Sequence, residues 1–236
     1  MKKIFISVSL FCMISAMAQK FETQKQTDAQ GYTYETVKND QTGVRVYTLK
    51  NGLKVYLAKN DDAPRIQTYI PVRTGSNNDP SDNTGLAHYL EHMVFKGTSH
   101  LGTQDWAKEK VLLQQISDLY EQHKAEKDPE KKKELYKKID EVSQEASKYA
   151  IANEYDKAIS SLGATGTNAH TSLDETVYKN NIPSNELEKW LRVEKERFSE
   201  LVLRLFHTEL EAVYEEYNRA QDNDSRLVFY SLMQAL

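Results

Sequence analysis

His88-Tyr89-Leu90-Glu91-His92 decides how the rest of the chain is read. The pattern is H-x-x-E-H. On a helix, His88 and His92 stand one turn apart at i, i+4, and Glu91 lies beside them at i, i+3. Two imidazoles at that spacing can hold one Zn²⁺, and a neighbouring carboxylate can take a proton from a water held there. The flanks favour a helix. Asn83 or Thr84 can cap its start, Gly97 suits its end, and Leu86, Leu90 and Met93 form an apolar stripe to bury. The competing reading is a surface helix with two solvated histidines. A tetrahedral site needs a third protein ligand, so the rest of the chain decides between the two.

Upstream of the motif, residues 19–42 are polar and are expected to be loosely ordered. Residues 44–49 and 53–57 then alternate apolar with polar around Asn51-Gly52. This predicts a hairpin with a type I′ turn, whose two central residues must tolerate positive φ. Residues 65–72 read as a third strand, and 73–81 as a turn-rich loop with Gly75 and Pro80.

Downstream, residues 106–155 are highly charged and helical in pattern. Leu112, Ile116 and Leu119 step by four and three, as do Leu135, Ile139, Val142, Ala146 and Tyr149. Asp128-Pro129 separates the two runs as N-cap and first helical residue, which predicts an antiparallel helical hairpin over 105–155. Its mixed charges suit a solvated face, His123 included. Residues 168–170 and 176–179 read as short strands around a turn at 172–175. Ser184 is expected to cap a helix with Leu187, Leu191 and Phe198 on its apolar face. Thr208-x-x-Glu211 predicts a capping box opening a further helix. On that helix Glu209 and Glu216 are seven residues apart and share a face with Val213 between them. A carboxylate on an otherwise apolar face is costly to bury without a partner, and a metal would supply one. Glu211 and Glu215 read as exposed.

The bulk numbers suit one or two domains with a real core: 236 residues, 39% hydrophobic and 28% charged. A net charge of −4 offers no electrostatic footprint for nucleic acid. Residues 1–18 resemble a secretory signal peptide, with Lys2 and Lys3 ahead of an apolar run and Ala16-Met17-Ala18 as the cleavage site. Export to the periplasm or outside the cell is therefore expected. The single cysteine, Cys12, lies in that leader, which leaves the mature chain no thiolate chemistry. No other segment is long and apolar enough for stable membrane insertion.

The chain resembles the inverted-zincin peptidases of the pitrilysin and insulinase type. The likeness is carried by residues 85–98 around the motif, by Asn168-Ala169-His170-Thr171 with Asp174-Glu175-Thr176-Val177-Tyr178, and by residues 209–216. It implies that His88, His92 and Glu216 bind one zinc, that Glu91 is the general base, and that Glu209 supports the site. It also implies that Asn168 and Ala169 lie on an edge strand receiving the substrate backbone. The implied fold is α+β, a mostly antiparallel sheet covered by helices, with the hairpin as an insertion. Between His92 and Glu216 stand 123 residues, against roughly 75 in compact members. The implied substrates are unfolded peptides, cut inside a chamber of two related halves. On that reading residues 43–236 are an incomplete N-terminal zinc-peptidase domain, inactive alone, whose second half is on a longer chain or a partner subunit. The alternatives are a non-catalytic substrate-binding or partner subunit, and a docking module built on the hairpin.

Overall fold

The structure, a computed structural model, describes residues 21–235; the expected leader over 1–18 lies outside the described residues. The chain divides between Ala63 and Pro64 into two units, each with its own antiparallel sheet.

In the first unit, β1 (Thr23–Thr27), β2 (Thr33–Val37), β3 (Arg45–Thr48) and β4 (Lys54–Leu57) form a meander in that order. Residues 19–42 are thus not loosely ordered, as expected, but hold a hairpin paired from Thr23↔Val37 to Thr27↔Thr33. Its turn is made by Asp28, whose carboxylate accepts the N–H groups of Gln30 and Tyr32 at 3.0 and 2.8 Å. Strand β1 is Thr, Gln and Lys throughout, and β2 has Tyr34 and Val37 three residues apart, so neither shows the apolar alternation that periodicity needs. The β3–β4 hairpin forms as expected, but not through a type I′ turn. Among the described non-glycine residues only Asn39, Asn153 and Leu205 have positive φ, and Asn51 does not. Gly52 alone does, at +88°, with its N–H donating to the Leu49 carbonyl at 2.9 Å. The loop is a turn closed by one left-handed glycine.

In the second unit, β5 (Arg65–Val72), β6 (Thr165–Thr171) and β7 (Thr176–Pro183) form a sheet in the order β5-β7-β6. Residues 65–72 therefore pair with β7, eight residues in register, and not with the preceding hairpin. Strand β6 pairs only with β7, so its outer edge is free among the described residues. The helices are α1 (Leu86–Met93), α2 (Trp106–Ala125), α3 (Pro129–Ser147), α4 (Glu154–Ser161), α5 (Leu187–Ser199), α6 (Phe206–Gln221) and α7 (Asp224–Ala235). The fold is α+β, as expected. Helix α4 is an addition, too short and too polar to stand out by periodicity. Among the described residues, no helix is long and apolar enough to cross a membrane.

Tyr155, Ile159, Ile182 and Trp190 form the buried cluster where α4 and α5 meet β7, with Ile66, Ile70 and Phe95 packed against it. Ser184 does not cap α5. It opens a short 3₁₀ turn, and the N-cap position of α5 is Glu186, with no side-chain cap. Leu187, Leu191 and Phe198, expected on the inner face, are exposed, and the buried residues are Trp190, Glu194 and Arg197. The charged pair decides this. Arg197 hydrogen-bonds Glu194, and its guanidinium carbon lies 4.3–5.2 Å from the ring centres of Phe95, Tyr155, Tyr178 and Phe198. The Tyr155 hydroxyl donates to Glu194 at 2.7 Å.

Helices α2 and α3 form the expected hairpin. Asp128 caps α3 by accepting from Glu130 N–H at 2.9 Å, Pro129 stands at its first turn, and Ile116, Leu119, Ile139 and Ala146 make the seam. The base of α2 is held by a second buried pair. Arg204 (1% exposed) meets Glu109 (0% exposed) at 2.9 Å and donates to the carbonyls of Lys96, Thr98 and Leu101 at 2.8, 3.0 and 3.2 Å. The loop it grips doubles back so tightly that a Cβ on Gly97, at φ +101°, would lie 2.1 Å from the Leu101 carbonyl oxygen. Glu109→Ala should leave this guanidinium buried and unpaired. The expected loss is about 3–5 kcal/mol of unfolding free energy in urea titrations of the metal-free protein.

Candidate metal centre

Helix α1 does not start as expected. Gly85, at φ +93°, precedes it, and the cap is Asp79, which accepts the N–H groups of Gly85 and Ala87 at 2.7 and 2.8 Å. Neither Asn83 nor Thr84 caps it. The expected apolar stripe is also displaced. Met93 is buried as expected, but Leu86 and Leu90 are exposed, and Ala87, Tyr89 and Glu91 are buried instead. The reason is tertiary: α1 packs on α6, β6 and β7. Tyr89 turns inward, its ring 4.9 Å from Phe206 and its hydroxyl donating to the Phe206 carbonyl.

Helix α6 begins at Phe206, so Thr208 lies inside its first turn and makes no capping box. The residue before it is Leu205 at φ +55°, a left-handed conformation that costs a branched residue about 1–2 kcal/mol. Arg204 on one side and the packed Phe206 on the other hold it there.

This crossing of α1 and α6 brings the predicted residues together. The Nε2 atoms of His88 and His92 are 3.2 Å apart, and Glu216 Oε2 lies 3.5 Å from the first and 3.6 Å from the second. Tetrahedral coordination with bonds of about 2.0–2.1 Å sets neighbouring donors about 3.3–3.4 Å apart. The three atoms thus match one face of a zinc tetrahedron, and the donor set is one zinc accepts. Among the described residues this is the one group of His, Cys, Asp and Glu side chains so arranged.

Glu209 reaches the same place from two turns nearer the start of α6. It accepts from His92 Nδ1 at 2.9 Å and from Lys96 Nζ at 2.6 Å, which leaves His92 Nε2 facing His88 and Glu216. The hydrogen bond to Glu209 raises the His92 pKa above its ordinary value against the opposing effect of burial, and the Glu216 and Glu91 carboxylates add to the rise. Burial pushes Glu209 up, but its bonds to His92 and Lys96 outweigh this, and its pKa falls.

Glu91 is 8% exposed and accepts a hydrogen bond from the Thr171 hydroxyl at 2.6 Å. It lines an open cleft of about 560 Å³ with His88, His92, Glu216 and the β6 residues Asn168 and Ala169. Every predicted site residue is therefore in one place. Thr171 and Lys96 were missed. Lys96 is four residues beyond His92, a spacing that signals a shared face if the helix continues, and Thr171 ends the quoted Asn168–Thr171 stretch. His170 also lines the cleft, His207 is buried against Tyr120 and Tyr136, and Tyr178 is in the core. His123, read as solvated, is half-buried with its ring 6.1 Å from Tyr136.

The sequence matches the model of one protein family, insulinase (peptidase family M16), over residues 54–111 and 140–236. The chain belongs to the insulinase family. An uncharacterized zinc protease of Bacillus subtilis, YmxG, is 32% identical over 65 residues, covering 28% of this chain and 16% of its own length. Insulin-degrading enzyme of Mus musculus is 31% identical over 102 residues, 42% of this chain and 10% of its own. The fold is similar to that of the periplasmic protease PqqL from Escherichia coli, with a TM-score of 0.55 and 19% identity over 81% of this chain and 16% of that one. The match thus spans a small part of relatives several times longer.

The coupled pair generates a pH dependence in the metal-free protein. Glu209, with a lowered pKa, contributes stability above its ordinary 4.5 that is lost as pH falls through the folded-state value. His92, with a raised pKa, contributes stability below its ordinary 6.5 that is lost as pH rises through the folded-state value. The pair is thus worth most between those limits. NMR titration of the imidazoles should find His92 above 6.5 in the parent and returned toward it in Glu209→Gln. An unchanged His92 midpoint would contradict the assignment.

Proposed function

We propose that this chain carries the zinc-holding domain of a metalloendopeptidase that hydrolyses unfolded peptides. The observation that carries the reading is the donor triangle of 3.2, 3.5 and 3.6 Å on His88, His92 and Glu216, in a cleft that also contains Glu91. Membership of a peptidase family and the likeness to a zinc protease support it.

His88, His92 and Glu216 would hold a zinc ion, which would supply Lewis acidity toward a peptide carbonyl and lower the pKa of an attacking water. Glu91 accepts the proton of the attacking water and delivers it to the leaving amine. The Thr171 hydroxyl holds one carboxylate oxygen of Glu91, which fixes its orientation and leaves the other oxygen for the proton. Glu209 holds His92 in the tautomer that presents Nε2 to the ion, and Lys96 neutralises the carboxylate that does so. The free edge of β6, with Asn168 and Ala169 at the cleft, offers backbone groups to an extended peptide by strand addition. That mode requires an unfolded substrate.

The matched relatives are much longer, and this supports a domain that works with further domains, on its own chain or a second one, to close the cleft. The leader pattern of residues 1–18 and the likeness to a periplasmic protease support export. A purely substrate-binding subunit would have no need of Glu91 beside three donor residues.

The test uses the full-length protein and a fluorogenic unfolded peptide. Glu91→Gln should keep one zinc per chain and lose about 10²–10⁴ of the turnover rate. A variant that cuts at the parent rate would remove Glu91 from the chemistry. Chelation should abolish cleavage in the parent and added zinc should restore it.

A further inference from the structure

We infer that the α2–α3 hairpin is a positioning brace for α6: through Tyr120 and Tyr136 it sets the angle at which Glu209 and Glu216 meet the two histidines of α1. The inference rests on the proposed zinc reading of that site.

The family match breaks between residues 111 and 140, so most of α2 and the first half of α3 lie outside the matched family pattern. An inserted hairpin serving only as a spacer or an adaptor would touch the domain at its base alone. This one touches the first turn of α6. The Tyr120 hydroxyl is hydrogen-bonded to His207 Nδ1 at 2.9 Å, and its ring lies 5.7 Å from Phe206. Tyr136, from α3, stacks edge-on against His207 at 5.1 Å. His207 is 7% exposed, so this contact is its packed environment. Phe206 in turn meets Tyr89, which stands between His88 and His92 on α1. A continuous path, Tyr136–His207–Tyr120–Phe206–Tyr89, therefore joins the hairpin to both helices that carry the metal donors.

The geometry makes a brace necessary. Glu216 is nine residues beyond His207, about 14 Å along the helix axis. A tilt of about 5° at the first turn would move Glu216 by about 1 Å, whereas metal–ligand distances tolerate about 0.2 Å. The residue that leads into α6, Leu205, is held in a left-handed conformation and adds no side-chain cap of its own. Stiffness at that end has to come from packing, and the hairpin supplies the packing on Phe206 and His207.

The test is Tyr120→Phe combined with Tyr136→Ala in the full-length protein, with Tyr136→Phe as the control that keeps the ring. Tyr136 is 45% exposed and Tyr120→Phe keeps its ring, so the pair opens no buried cavity. Hydrogen exchange is followed in the zinc-free protein, and zinc affinity by competition with a chromophoric chelator. Amides of residues 210–216 should exchange at least about tenfold faster in the double variant while those of β7 keep the parent rate. Zinc affinity should fall about tenfold or more, the scale of losing an outer support of a metal ligand. Tyr136→Phe should match the parent in both. Parent-like exchange at 210–216 in the double variant overturns the brace, whatever the affinity. A parent protein that takes up no zinc would instead overturn the metal reading and leave the exchange result to stand.

Discussion

The carboxylate of Glu209 sits where two helices must be pinned to each other. From α6 it accepts hydrogen bonds from His92 and Lys96, both on the α1 side, with 13% of its side chain exposed. A buried carboxylate there is tolerable only because two cationic or polar donors meet it, and breaking such an arrangement is far more costly than never building it. The same contact chooses which nitrogen of His92 faces the cleft and brings α6 to the distance at which Glu216, two turns further on, completes the donor triangle. The site's geometry thus depends on this inter-helix contact, with the packing at the start of α6 holding the helix to it.

Two further buried charges serve the surroundings of that crossing. Arg197, among four aromatic rings and paired with Glu194, fills the space beneath Phe95 immediately after α1. Arg204, paired with Glu109, grips three carbonyls of the loop that follows and stands one residue before the left-handed Leu205. Apolar side chains of the same volume would fill these spaces at lower desolvation cost, but none could bind three carbonyls and a carboxylate at once. The segments they fix, the loop after α1 and the start of α6, are those whose displacement would separate the ligands.

What was legible in the sequence was local. H-x-x-E-H places its histidines on one helical face, Glu209 and Glu216 share another, Asp128-Pro129 marks a helix start, and Asn51-Gly52 marks a hairpin. Each is decided by residues within two turns or one loop. The misses are decided by partners far along the chain. Leu86 and Leu90 looked like the inner face of α1 until the position of α6 turned Tyr89 inward. The cap of α1 comes from Asp79 across a turn, and α6 starts on a left-handed leucine with no propensity for that role. Glu91 is held by Thr171, 80 residues away. The strands β1 and β2 have neither alternation nor β-branched runs beyond their threonines, so only their pairing defines them. The buried face of α5 carries Glu194 and Arg197, which any apolar-periodicity rule assigns to solvent.

If the zinc reading holds, His88, His92 and Glu216 share one zinc. The most direct measurement is anomalous diffraction at the zinc edge from crystals of the full-length protein grown without added metal. A single peak is expected about 2.0–2.2 Å from His88 Nε2, His92 Nε2 and a Glu216 carboxylate oxygen. A peak at another group of residues, or full occupancy of the protein by zinc with Glu216 turned away from it, would rule out the shared site.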